Sequence, residues 1–250
     1  VTYADCDVEE PNGHIFLKPV LDTSAPVVIQ VPAVNMARCM KCDRCVGVCR
    51  FNALASVKDK ILVFPELCHG CGGCTYFCPA RALTESERPI GVVKTGHAGD
   101  IAFVQGRLDI GAAMAPPVIR AVKAALPLEG TVILDAPPGT SCPVIATLRG
   151  SDVIVLVTEP TPFGLHDLQL AVGTVRELGI PFGVVVNRCD VGDDRVETYC
   201  AQEGIPVLAR IPDDRRIAEA YSRGECIVTA VPETRAVFEA LERRIRTLAG

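Results

Sequence analysis

The stretch VILDAPPGT, Val132 to Thr140, decides how the second half of the chain folds. Apolar, mostly β-branched residues run into Asp135, and Pro137-Pro138-Gly139 then breaks any regular element. Three more segments have the same apolar shape: Val153 to Val157, Phe182 to Val186 and Val207 to Arg210. Strands that are apolar throughout, rather than alternating, are buried on both faces, which means a parallel sheet covered by helices. Helical patterns lie at 116–126, opened by Pro116, and at 143–149, 164–178, 193–203, 213–223 and 233–248. Toward the N-terminus, Val1 to Ala4 reads as another strand, Asp5 to Asn12 as an acidic loop, and the residues up to Val31 as a connection. Gly91 to Lys94 and Ile101 to Gln105 read as short strands, a hairpin through Gly96 and Gly99. The expected fold is α/β, a doubly wound and mostly parallel sheet.

Residues 32–88 interrupt this pattern. They lie between Val31-Pro32 and the polar run Glu85 to Pro89, and they hold eight of the 13 cysteines. The spacing Cys-x2-Cys-x2-Cys-x3-Cys begins at Cys39 and again at Cys68, an internal repeat. An iron–sulfur cubane takes one thiolate per iron, so each needs four cysteines. Three at a spacing of two wrap one cluster, and the fourth of each run serves the other cluster. That assigns Cys39, Cys42, Cys45 and Cys78 to one [4Fe–4S] cluster, and Cys68, Cys71, Cys74 and Cys49 to a second. Pro79 follows the last cysteine, as in the bacterial ferredoxin pattern that the run resembles; Arg50 holds that place in the first repeat. Zinc and disulfides are the competing readings. Zinc sites rarely use two such triplets, and a disulfide framework goes with small secreted chains. His69, between ligands, reads as a loop residue. Cys6, Cys142, Cys189, Cys200 and Cys226 stand alone and read as small buried hydrophobes, with Cys142 singled out because it follows the Pro137–Gly139 turn.

The whole chain suits one α/β domain with a small insert. It has 250 residues, 49% hydrophobic and 22% charged. The net charge of −5 speaks against a nucleic-acid partner. No apolar run reaches the length of a membrane span, and the start lacks a signal-peptide pattern. The expected location is cytoplasmic.

Four segments together resemble the P-loop ATPases of the MinD, Mrp and nitrogenase-iron-protein type, and among them the MinD-superfamily ATPases with an inserted ferredoxin domain. Val1 to Asn12 resembles the second strand and its acidic loop, with Asp5-Cys6-Asp7. Asp135 to Thr140 resembles the Walker B and switch segment. Val184 to Arg188 resembles the strand whose terminal Asn meets adenine, and Ile211-Pro212-Asp213-Asp214 the following nucleotide-side loop. The resemblance implies Mg-ATP as a second cofactor and a nucleotide-dependent homodimer. It implies an ATPase-like part at 1–31 and 89–250, with a ferredoxin-like insert at 32–88. Asp135, ending a buried strand, would hold the water shell of magnesium. Asp7 would orient the attacking water, and the Gly139 amide would approach the γ-phosphate. Asn187, Pro212 and Asp213 would line the nucleotide. Taken singly, Asp135 also fits a turn residue or helix cap, Asn187 a strand end, and Asp213 an N-cap before Arg215-Arg216.

The family's phosphate loop, G-x4-G-K-[ST], is not found in these residues; Lys94-Thr95-Gly96 has the wrong order. In the family that loop precedes the segment matched by Val1, so roughly thirty residues are expected to be missing from the start. Three functions follow. The first is electron transfer by two clusters coupled to a MinD-like ATPase and serving a redox partner protein. The second is a plain ferredoxin-type electron carrier whose α/β part is a docking scaffold. The third is an iron–sulfur cluster carrier, which is marked down because only single cysteines, Cys200 and Cys226, stand near the C-terminus where carrier relatives have Cys-x-x-Cys.

Overall fold

In the computed structural model, all 250 residues of the chain are described. Ten strands form: β1 Thr2–Asp5, β2 Val20–Val34, β3 Leu54–Val57, β4 Lys60–Val63, β5 Leu83–Ala98, β6 Ile101–Leu108, β7 Val132–Asp135, β8 Ile154–Thr158, β9 Phe182–Asn187 and β10 Val207–Ile211. The helices are α1 Gly13–Leu17, α2 Arg44–Val48, α3 Gly73–Tyr76, α4 Pro116–Ala124, α5 Cys142–Leu148, α6 Pro162–Leu178, α7 Arg195–Gln202, α8 Arg215–Ser222, α9 Ile227–Ala230 and α10 Arg235–Ala249. The chain divides into two compact units: Val1–Pro11 with Pro19–Asp135, and Asn12–Lys18 with Ala136–Gly250.

The first unit is built on a five-stranded sheet in the order β2-β5-β6-β1-β7. Strand β1 runs parallel to β6 and β7, while β5 runs antiparallel to β6 and β2. The sheet is therefore mixed, which corrects the expectation of a mostly parallel one. The cause is local: Ala98 pairs with Ile101, so only Gly99 and Asp100 link β5 to β6. A parallel pair needs a crossover of a dozen residues or more.

A larger correction concerns residues 20–34, expected to be a connection up to Val31 and the start of the insert beyond it. They form a 15-residue strand. Pro26 and Pro32 argue against a central strand, because proline cannot donate to the ladder. Strand β2 escapes that objection by lying at the sheet edge. It pairs with β5 from Val20 opposite His97 to Val34 opposite Leu83, a ribbon of about 50 Å. At its base a Cβ on Gly96 would stand 2.0 Å from the Val20 carbonyl oxygen, so only glycine lets the two backbones close there. The pairing runs unbroken past residues 31–32 and 86–88. At the far end Val34 and Leu83 join Leu54, Ile61, Cys45 and Cys74 in one apolar cluster.

In the same unit α4 buries Val118, Ile119 and Val122. Phe103 of β6 is wholly buried, with the Tyr3 ring stacked on it at 5.7 Å. Phe103→Ala removes a core aromatic and leaves a cavity. It is expected to destabilise the chain by about 3–5 kcal/mol, read as a lower denaturant midpoint with an unchanged m-value.

The second unit holds the three-stranded parallel sheet β10-β9-β8. Successive side chains of a strand point to opposite faces, and β9 uses both. Val184 and Val186 pack with Leu168 and Val172 of α6 and with Val196 and Cys200 of α7. Val185 packs with Leu208 and Ala209 of β10, against Val237, Leu241, Ile245 and Leu248 of α10. Helices thus cover this sheet on both faces, as the apolar strands imply. Helix α1 belongs to the same unit, with the Phe16 ring 5.1 Å from that of Tyr221 on α8.

Each sheet ends on a strand with one bare edge: β7 in the first unit and β8 in the second. Both edges are apolar. Ile133 of β7 is 53% exposed and Val157 of β8 is 67% exposed.

Candidate functional site

The two cysteine repeats share a backbone. A shift of 29 residues, Cys39 to Cys68, superposes every cysteine of the first on one of the second. The same shift relates their left-handed residues: Lys41 to Gly70, Asp43 to Gly72, and Asn52 to Arg81. Asp43 and Gly72 sit at the N-caps of α2 and α3. Alternating left- and right-handed residues turn successive N–H groups inward, a concavity suited to an anionic group such as an iron–sulfur cluster. The N–H groups of Ala53 and Ala82 donate to the Cys49 and Cys78 sulfurs, each at 3.3 Å, and that of Gly70 donates to the Cys68 sulfur at 3.4 Å.

Cys49, Cys68, Cys71 and Cys74 line one cavity, together with Phe51 and His69. Three of them come from the second repeat and Cys49 from the first. The His69 ring lies flat on Phe51 at 3.6 Å. Cys39, Cys45 and Cys78 belong to the apolar cluster around Leu54 and Ile61, while Cys42 is exposed. All eight thiols are free of disulfides. No three His, Cys, Asp or Glu side chains are placed to hold a single metal ion. A tetrahedral zinc would draw its thiolates to about 3.8 Å from one another, whereas a cubane spreads them, one on each iron. Burial pushes the Cys45 and Cys74 thiols up. Burial also pushes on Cys78, but the amides of Ala82, Leu83, Ala80 and Arg81 outweigh it and hold that thiol below its ordinary value.

The residues expected on a nucleotide side fall in both units. In the first, Gln105, Asp5 and Asp135 stand in register across β6, β1 and β7. Asp5 is fully buried, and Asp7 is half-buried just beyond β1. The Tyr3 hydroxyl donates to Asp135 Oδ2 at 2.5 Å. Burial first, then this bond to Asp135, holds the Tyr3 hydroxyl far above an ordinary phenol. The sequence reading quoted Asp5 in the Asp5-Cys6-Asp7 run without giving it a role, and it missed Tyr3. Asp5 carries the same signal as Asp135, an acid closing an apolar strand.

In the second unit Gly139 sits in an exposed turn with φ +92°. Asn187 closes β9 opposite Ile211 of β10, and Pro212 and Asp213 follow. Arg188 is left-handed and donates to Asp213 at 2.9 Å and to Glu159 at 3.4 Å. Asp214, not Asp213, caps α8, accepting from the Arg216 N–H at 2.8 Å. The Asp213 carboxylate is thereby left to Arg188. Of the five lone cysteines, Cys6 and Cys200 are buried and Cys189 and Cys226 half-buried. Cys142 is exposed, which corrects its reading as a buried hydrophobe: it is the first residue of α5, ahead of the Val144 and Thr147 that the helix buries.

Residues 1–228 match the family described as the CobQ/CobB/MinD/ParA nucleotide binding domain, and the chain belongs to that family. An uncharacterized protein of Methanocaldococcus jannaschii is 30% identical over 224 residues, covering 88% of this chain and 78% of that protein. An iron-sulfur cluster carrier protein of Pyrococcus horikoshii is 28% identical over 134 residues. That match covers 47% of this chain and 45% of the carrier, so the chain spans under half of that relative's length. The septum site-determining protein MinD complexed with Mg-ADP, from Pyrococcus horikoshii, shares the fold. Its TM-score is 0.55 at 18% identity, covering 100% of this chain and 84% of its own. No helix of this chain is long and apolar enough to cross a membrane.

Proposed function

We propose that this chain is an iron–sulfur protein in which two [4Fe–4S] clusters sit on an insert, residues 32–88, of a MinD-like ATPase domain. The observation that carries the reading is the cavity shared by Cys49 with Cys68, Cys71 and Cys74. A cysteine from one repeat facing three from the other is the ligand exchange that two cubanes require. Cys39, Cys42 and Cys45 with Cys78 hold the other cluster. In the ATPase part, Asp7 and Asp135 serve the attacking water and magnesium, and Gly139, Asn187, Pro212 and Asp213 serve the nucleotide. These 250 residues hold no G-x4-G-K-[ST] run for a phosphate cradle, and the bare apolar edge of β7 would accept a further strand. The MinD-like fold supports a nucleotide-dependent homodimer, a proposal that rests on that likeness.

Two uses of the clusters follow. Curated relatives named iron-sulfur cluster carrier proteins support carriage. They weigh more than the missing C-terminal Cys-x-x-Cys that marked carriage down. Electron transfer to a redox partner is supported by the exchanged fourth ligand, which ties each cluster to both loops. One experiment tests the proposal and separates its uses. The chain is reconstituted anaerobically, assayed for iron and sulfide, and mixed with an apo-acceptor enzyme that needs a [4Fe–4S] cluster. About eight iron per chain, followed by activation of the acceptor as iron leaves this chain, establishes carriage. The same iron content with clusters retained and reversibly reduced establishes the relay. Zinc, or a folded chain that takes no iron, sinks both.

A further inference from the structure

The two repeats share a backbone but not a charge. Arg38, Lys41, Arg44 and Arg50 of the first stand where the second has Leu67, Gly70, Gly73 and Pro79. Lys41 donates to Asp59 at 2.8 Å, which brings the β3–β4 turn, with Lys58 and Lys60, beside the first loop. Arg38, Lys41, Arg44, Arg50, Lys58 and Lys60 are all exposed, and so is Cys42, as is Cys71 in the second loop. Residues 32–88 carry eight Lys and Arg against five Asp and Glu, a balance of +3 in a chain of −5, so the remaining residues sum to −8. The surface around the second loop is instead aromatic, with Tyr76 84% exposed and Phe77 against it edge-on at 5.1 Å.

From this asymmetry we infer that the face carrying Cys42 docks a small acidic electron-transfer protein, and that the cluster held by Cys39, Cys42, Cys45 and Cys78 exchanges electrons with it. The inference rests on the two-cluster reading above. Opposite charge steers encounter and sets orientation; each loop has one exposed ligand, Cys42 and Cys71, so charge selects the first. The step is a single electron leaving the reduced acidic carrier and entering the cluster, with no bond made or broken. The partner is compact, because a long polyanion would also meet the negative remainder of the chain.

The probe is a purified acidic bacterial ferredoxin. Its affinity for the reconstituted chain is measured by calorimetry at low and high salt, beside the rate at which its reduced form reduces the chain. Binding is expected to weaken at least about tenfold in Arg38→Glu/Lys41→Glu/Arg44→Glu, and similarly with salt in the parent. The reduction rate should fall in parallel. Arg215→Glu, on α8, is expected to leave both unchanged. Iron, sulfide and the electron paramagnetic resonance of each variant report whether the clusters are intact. Intact clusters with salt-independent binding, or with preference for a basic carrier or duplex DNA, overturn the docking inference. Absence of clusters overturns the reading beneath it.

Discussion

Cys49→Ser and Cys78→Ser are each expected to halve the iron content, from about eight per chain to about four, while removing opposite clusters. The argument is geometric. A loop with cysteines three apart reaches three corners of a cubane and cannot return for the fourth. Cys49 lies in the cavity of the second repeat, and it is oriented there by the Ala53 amide as Cys78 is by that of Ala82. Double variants read the pairing directly. Cys49→Ser/Cys71→Ser strikes one cluster twice and should keep about four iron, whereas Cys49→Ser/Cys42→Ser strikes both and should keep almost none. The reverse result, with Cys49 and Cys42 behaving as one site, would mean that each repeat ligates its own metal. Stability moves with the metal, because the cluster cysteines are also core residues beside Leu54, Ile61 and Leu83. The halved variants are therefore expected to unfold at lower denaturant than the parent, by the binding energy that the lost cluster supplied to folding.

The cysteine repeat was legible because its spacing is local, residues three and four apart, which a sequence displays. The apolar strand β9 was legible for the same reason, since burial on both faces leaves no polar positions. The long ribbon was not. Pro26 and Pro32 in β2 contradict a strand on local grounds, and only its place at the sheet edge, a tertiary fact, removes the objection. The antiparallel β5–β6 pair, which makes the sheet mixed, was visible as a hairpin between Gly91 to Lys94 and Ile101 to Gln105, but its consequence for the sheet was not drawn. At the nucleotide edge, Asp135 was visible as a strand-ending acid. Its Tyr3 partner was not, being 132 residues away. Asp5 was quoted in the Asp5-Cys6-Asp7 run without a role, and the strand was read as ending at Ala4. It runs to Asp5, which places that carboxylate in register with Asp135.

Titration of the 250-residue chain with Mg-ATP is expected to show binding weaker than about 1 mM, under about 4 kcal/mol. The carboxyl ends of the strands explain why. In the first unit they present Asp5, Asp7 and Asp135, and Tyr3 adds only a neutral hydroxyl. In the second, Arg188 is already engaged by Asp213 and Glu159. Carboxylates at that edge suit the water shell of a magnesium ion, but a triphosphate also needs converging amides and a lysine, and no G-x4-G-K-[ST] run supplies them here. A chain extended by a segment bearing that motif is expected to gain affinity by about a hundredfold or more. In that extended chain Asp135→Asn should cost about a hundredfold in ATP turnover, because positioning and charge stabilisation carry most of phosphoryl transfer. Tyr3→Phe removes the donor to Asp135 while keeping its carboxylate, so its effect on turnover should be far smaller. Micromolar binding by the 250 residues alone would show that their own side chains make the phosphate site, and would move the search to the cations nearest Asp135 and Gly139.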